Sequence, residues 1–228
     1  GTLRTRRPGA GALGSLDGSF AFYAIGVPMG PGAAEAIEAI AHGDESTSKV
    51  VGRAIGDLKA QWLAAWYGER MADARVLAGR PTALSVLSDA DGEQGRRTRR
   101  SLEQMQQAYG YLSIELFDRD GVRVSVAGAD LKGPNLLTGA LLTRLDKTRQ
   151  PELIDFYRTA NPAHPVGLVV VAAIYDLAEA NSAVKGYAVL HIDPDRELYP
   201  MIQTWPVPSA SAETELVRLE DDHITFLN

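Results

Sequence analysis

The chain has 228 residues, 45% of them hydrophobic and 23% charged, a composition that supports one large folded domain or two small ones. A formal net charge of -6 and a pI of about 5.3 give no field that would gather nucleic acid or an anionic membrane, so a nucleic-acid partner is not expected. There is no cysteine, which removes disulfides, thiolate nucleophiles and cysteine zinc sites but leaves the compartment open.

Residues 1–45 are the least legible. Arg4, Arg6 and Arg7 precede a Gly/Ala-rich stretch through Gly14 that reads as a flexible leader. Phe20 to Val27 predicts a short strand closed by Pro28, and Ala33 to Ala41 a short helix. The chain opens on Gly1-Thr2-Leu3-Arg4 without an initiator Met, which suits a processed chain whose membrane anchor has been removed. The longest apolar stretch, Val166 to Tyr175, is too short to span a bilayer and fits a buried strand.

From Ser46 a helical pattern runs to Ala78, with Asp44, Ser46 and Thr47 offering capping oxygens and Gly79 and Pro81 as stop signals. Val51, Ile55, Leu58, Trp62 and Trp66 recur at threes and fours, continuing through Met71, Ala74 and Leu77. Each tryptophan can bury roughly 150–250 Å², so this stripe is expected to lie against the following domain or a second copy of the helix.

A polar loop, Ser88 to Gly95, leads to a helix from Arg96 to Tyr109. The period then changes to two. Leu112, Ile114 and Leu116 alternate with Ser113, Glu115 and Phe117 before the turn Asp118-Arg119-Asp120-Gly121, and Val122, Val124 and Val126 complete a hairpin. A helical patch from Leu136 to Leu145 precedes strands at Glu152 to Tyr157, Val166 to Tyr175 and Gly186 to Ile192. Leu198 to Trp205 predicts a short helix, and Glu215 to Leu219 with Ile224 to Leu227 a final hairpin. The economical count is one five-stranded sheet plus an extra hairpin, an α/β (α+β) fold.

This order of elements resembles the extracytoplasmic double Cache (PAS-like, PDC) sensor domains of bacterial histidine kinases, GGDEF proteins and chemoreceptors. Four stretches carry the resemblance: Trp62 to Ala78, the hairpin Tyr111 to Gly128, Val166 to Asp176 with Lys185 to Pro194, and Leu198 to Asn228. The resemblance divides the chain into a leader (1–45), a long helix (46–82), a membrane-distal ligand-binding subdomain (83–205) and a hairpin that begins an incomplete second subdomain (206–228). It implies a long N-terminal helix leading into a five-stranded antiparallel sheet flanked by helices, with a ligand pocket between the sheet and its covering loops.

In amino-acid-binding relatives of that kind an Arg-x-Trp-Tyr run clamps the ligand carboxylate. The matching run here is Ile154-Asp155-Phe156-Tyr157, so the aromatic pair is kept and the arginine is not. A carboxylate without a bidentate partner loses much of its charge-assisted binding. Arg158 is the available substitute, while Asp176 and Asp193 stand where acidic residues would hold an amine. The resemblance therefore implies Phe156, Tyr157, Arg158, Tyr175, Asp176 and Asp193 as ligand-binding residues. It also implies a small-molecule ligand (an amine, amino acid or carboxylate), a homodimer through the long helix and a parent protein in the inner membrane.

Each of these residues also has a plain reading. Asp176 and Asp193 end strands, where turn formation accounts for an aspartate, and the tyrosines suit core packing. The patches Asp118 to Gly121 and Asp89 to Gly92 lack the glutamate of a calcium loop. His42, His164, His191 and His223 form no spaced pair for zinc, and Arg96, Arg97, Arg99 and Arg100 read as a solvated helix face. No serine elbow, phosphate loop or catalytic dyad is visible, so no metal, cofactor or enzyme activity is expected, and any kinase or cyclase would lie outside the chain. The competing reading is a dimerisation or protein-interaction module with a vestigial pocket.

Overall fold

The computed structural model describes residues 12–16, 20–23, 45–90, 92–131, 136–164, 166–179, 182–204, 216–220 and 223–226. Contacts divide the chain into one unit of Tyr67–Pro194 and another formed by Gly1–Trp66 with Asp195–Asn228.

In the second of these units, β1 (Ala12–Leu16) pairs antiparallel with β2 (Phe20–Tyr23), and β8 (Val217–Glu220) with β9 (His223–Phe226). The leader expected to be flexible thus contains a strand. The first part of α1 (Glu45–Ala78) belongs here, as does α5 (Leu198–Gln203). Trp66 is buried, and its indole N–H donates to Glu197 Oε2 at 3.1 Å. Lys59 is also buried and donates to the Ile202 carbonyl at 2.5 Å, while desolvation pulls its ammonium down to about 8.

That geometry corrects the apolar stripe expected from the sequence. The buried side of α1 runs through Lys59, Leu63, Trp66, Arg70, Ala74 and Leu77, whereas Leu58 and Trp62 remain 37% and 38% exposed. Hydropathy alone selects tryptophan over lysine and arginine. Those long cations bury their stems once their head groups find partners, so Lys59 and Leu63 replace Leu58 and Trp62 on the buried side, while Trp66, Ala74 and Leu77 are buried as expected.

The Tyr67–Pro194 unit holds the sheet. Pro81 both stops α1 and opens α2 (Pro81–Ser88), because a first-turn proline lacks only an N–H that would have no helical partner. Periodicity alone predicts no helix over these eight residues. α3 (Glu93–Tyr109) ends on Gly110, whose φ of 71° supplies the left-handed cap. β3 (Ser113–Asp118) and β4 (Arg123–Gly128) follow as the expected hairpin. Asp118 Oδ1 accepts the N–H groups of Asp120 and Val122 at 3.0 and 2.8 Å, so this aspartate builds the turn.

α4 (Gly139–Thr148) is capped by Thr138 Oγ1, and β5 (Glu152–Arg158), β6 (Val166–Ile174) and β7 (Gly186–Ile192) complete the sheet. Strand order is β4-β3-β7-β6-β5, with every neighbouring pair antiparallel. β7 and β6 have strands on both sides and layers on both faces, which accounts for the unbroken apolar run of β6 and the burial of every residue of β7. Leu87 of α2 lies against Gly186, placing α2 on the face of Ala188 and Leu190. Leu141 and Leu145 of α4 cover the opposite face, packing with Val169, Val171, Ala173, Tyr187 and Val189.

Candidate functional site

Polar side chains interrupt the α4 face of the sheet at the end where β7 leaves it. Strand alternation puts Ser113 and Glu115 of β3 on one side, and register places Ser113 opposite His191 of β7, with Val169 of β6 on the other flank of His191. Tyr157 reaches the same spot from β5, two strands away.

Two backbone features allow that reach. A bulge lies between Ile154 and Tyr157, where an interval of three residues on β5 faces an interval of two on β6. The extra residue brings Ile154 and Tyr157 to the same face, and both pack on the α4 cluster. Tyr157 then lies across Gly167, where an added Cβ would meet its ring at 2.9 Å. Gly167 is the clearance through which the phenol crosses β6.

The result is a chain of polar groups with His191 and Glu115 buried at its centre, the half-buried Tyr157 at one end and the exposed Arg123 and Asp130 at the other. Tyr157 Oη lies 2.7 Å from His191 Nδ1, and His191 Nε2 lies 3.3 Å from Glu115 Oε2. Glu115 Oε1 accepts from Arg123 at 2.8 Å, and the same guanidinium nitrogen donates to Asp130 Oδ1 at 2.7 Å. Glu115 and His191 are each 5% exposed.

Burial pushes the Glu115 carboxyl upward, but hydrogen bonds and charge from His191 and Arg123 outweigh it and hold the group below its ordinary value. Glu115 is then an acceptor only, so Nε2 carries the imidazole proton and, in the neutral ring, Nδ1 accepts from Tyr157. Burial, and next the charge of Glu115, push the Tyr157 phenol up to about 12.

Beside this chain Ser113 is fully buried, and its Oγ has no hydrogen-bond partner among the described residues. Serine, histidine and glutamate adjoin here without forming a nucleophilic triad. Both imidazole nitrogens are engaged, one by Tyr157 and the other by Glu115, so neither is free to take a hydroxyl proton. The arrangement can bind and orient.

The structure brings only one of the six sequence-predicted site residues, Tyr157, into this chain. Asp193 lies close by but pairs with His164 Nδ1 at 2.9 Å in the loop between β5 and β6. Tyr175 packs at the other end of the α4 cluster under the Arg149 guanidinium, 5.0 Å from its ring centroid. Asp176 Oδ1 accepts the Ala178 N–H at 2.9 Å, the turn-forming role. Phe156 is half-buried and falls within the bulge, and Arg158 is exposed at the end of β5. Glu115, His191 and Ser113 were not singled out for the site. Ser113 and Glu115 read in the sequence as the polar side of an alternating strand, so nothing there marked them as buried.

No family model matches the chain. The described fold is that of the PAS-like Cache sensor domains, a five-stranded antiparallel sheet between helices with a long helix before it. The sensor domain of the Vibrio cholerae histidine kinase DctB superposes with a TM-score of 0.50 at 14% identity, covering 75% of this chain and 61% of that one. The E. coli DcuS sensor domain gives 0.45 at 21% identity (60% of this chain, 94% of that one). The Campylobacter jejuni chemoreceptor Tlp3 sensory domain with isoleucine bound gives 0.49 at 14% identity (65% and 60%).

Separately, the chain is 93% identical over 28 residues to the Trk system potassium uptake protein TrkA of Vibrio alginolyticus. It is 85% identical over 27 residues to that of Halomonas elongata. These matches span 12% of the chain and 6% of either relative. A segment that short is below the size at which a chain usually folds alone, so it carries no domain-level assignment.

Proposed function

We propose that this chain is the extracytoplasmic small-molecule sensing part of a bacterial transmembrane receptor, of the sensor histidine kinase or diguanylate cyclase type. It has no catalytic role of its own, and ligand binding is relayed through α1. The observation that carries this reading is the Tyr157–His191–Glu115 chain beside the unpartnered Ser113 hydroxyl. Burying such groups is costly, and the sheet's opposite face, which also holds a buried and unpartnered hydroxyl at Ser125, carries no charged chain of this kind. In this reading residues 83–205 form the ligand-binding subdomain and 206–228 begin a second one, with an inner-membrane anchor outside the chain.

Thermal-shift screening against amino acids, amines, carboxylates and neutral polar metabolites tests it, with native mass spectrometry as a second readout. Saturable stabilisation by one class is the expected result. Failure of every class in both assays would remove direct sensing.

A second reading, a ligand-independent dimerisation module, has its own support. Tyr157, Tyr175, Asp176 and Asp193 each have an internal partner, and Leu58 and Trp62 lie exposed one turn apart on α1. Analytical ultracentrifugation of wild type and Trp62→Glu separates the two. Because Trp62 is exposed, that variant is expected to fold, and loss of a dimer would place the interface on α1.

A further inference from the structure

Resting on the sensing reading above, the charges around that chain narrow the ligand. Among the described residues of the chain one cation, Arg123, serves two carboxylates, Glu115 and Asp130, through a single nitrogen. Ile154, packed on the same face, offers no charge, and Arg144 is committed to Glu152 through three donor–acceptor contacts. An incoming carboxylate would meet Glu115 in a water-poor setting, where the guanidinium bonded to it, that of Arg123, is already shared with Asp130. That juxtaposition is repulsive, and more so than in water.

An ammonium group meets the opposite situation. Glu115 has about four lone-pair sites, and Arg123 and His191 occupy two of them. The His191 contact, at 3.3 Å, is longer than the roughly 2.7–2.9 Å of a strong charge-assisted bond, so this oxygen is not saturated. Ser113 supplies the independent pointer. Its hydroxyl is fully buried, lies on the same face as Glu115 two residues along β3, sits opposite His191 and has no partner among the described residues. Ser125 is likewise buried without a partner, but on the apolar face; what distinguishes Ser113 is that its hydroxyl adjoins a buried carboxylate.

We propose that the site takes a small primary amine as its ammonium ion, with Glu115 and the Ser113 hydroxyl as its acceptors. A donor with three N–H bonds can satisfy both acceptors at once, which a carboxylate cannot. The Tyr157–His191 pair fixes the orientation of Glu115 rather than meeting the amine.

The test is thermal shift and titration calorimetry on the whole chain with ethanolamine and putrescine hydrochlorides, against sodium acetate and succinate at matched ionic strength. The amines are expected to raise Tm by about 5 °C or more at a hundredfold excess over Kd, and the carboxylates to leave it unmoved. Ser113→Ala removes a hydroxyl that bonds to no described residue, so the free protein should melt within a degree or two of wild type while amine affinity falls about 5- to 10-fold. Glu115→Gln should weaken it at least about tenfold. Stabilisation by carboxylates and not amines overturns the ligand class and leaves the sensing reading standing. Amine binding that both substitutions leave unchanged overturns the assignment to this site. Silence from both classes, with a broad screen also silent, overturns the two together.

Discussion

The two faces of the five-stranded sheet are buried alike but built from different chemistry. Toward α2 the sheet presents Ile114, Leu116, Leu168, Val170, Ala172, Ala188 and Leu190, an apolar layer with no charged side chain among them. Toward α4 the same strands place Val169, Val171 and Val189 beside Ser113, Glu115, His191 and, by way of the bulge, Tyr157. One face stabilises by area removed from water. The other retains groups whose burial costs free energy unless every partner is in place, as expected of a surface kept for recognition.

Substitutions on the two faces should separate these roles. Leu190→Ala, at a fully buried position of the apolar face, is expected to cost about 2–5 kcal/mol in urea unfolding without changing ligand preference. Glu115→Ala should cost about 1–3 kcal/mol, because it leaves the buried His191 Nε2 proton without its acceptor, while Arg123 keeps Asp130.

The same carboxyl makes stability depend on pH. Its folded value lies below the ordinary 4.5, so its contribution is present above that pH and is lost as pH falls through the folded value. Glu115→Gln should flatten this acid limb of the Tm profile; an unchanged limb would detach Glu115 from it.

Smaller effects follow at the crossing of β6. Gly167→Ala should cost about 1–2 kcal/mol by forcing the Tyr157 ring off its seat, and it should move the His191 ring resonances although it touches neither nitrogen. Tyr157→Phe should cost about 1 kcal/mol near neutral pH. In the alkaline range the unfolded phenol ionises near 10 while the folded one persists to about 12. Wild-type stability therefore falls across that window, and Tyr157→Phe should reduce the slope without abolishing it, since burial and Asp146 also raise Tyr187 to about 12.

The apolar face was largely legible in the sequence, because its signal is periodicity and length. Val166 to Tyr175 reads as a buried strand and Gly186 to Ile192 as a strand, and the Asp118 turn announced its hairpin. The long helix was legible in extent and, at Trp66, Ala74 and Leu77, in its buried side, but not at Leu58 and Trp62, whose neighbours Lys59 and Leu63 are buried instead. The polar face was mostly hidden. A one-residue bulge reverses the direction of every side chain beyond it, and no residue between Ile154 and Tyr157 marks where it falls. Without the bulge, and without Gly167 as clearance, nothing in the sequence links Tyr157 to a histidine two strands away.

The most direct test of the account follows the imidazole of His191 by side-chain 1H–15N NMR during titration with the strongest stabilising compound from the ligand screen. The account predicts the Nε2–H tautomer in the free protein. It also predicts ring resonances that move saturably with the Kd read from thermal stabilisation. A ligand that stabilises the protein while the His191 resonances stay fixed would place recognition elsewhere and contradict the account.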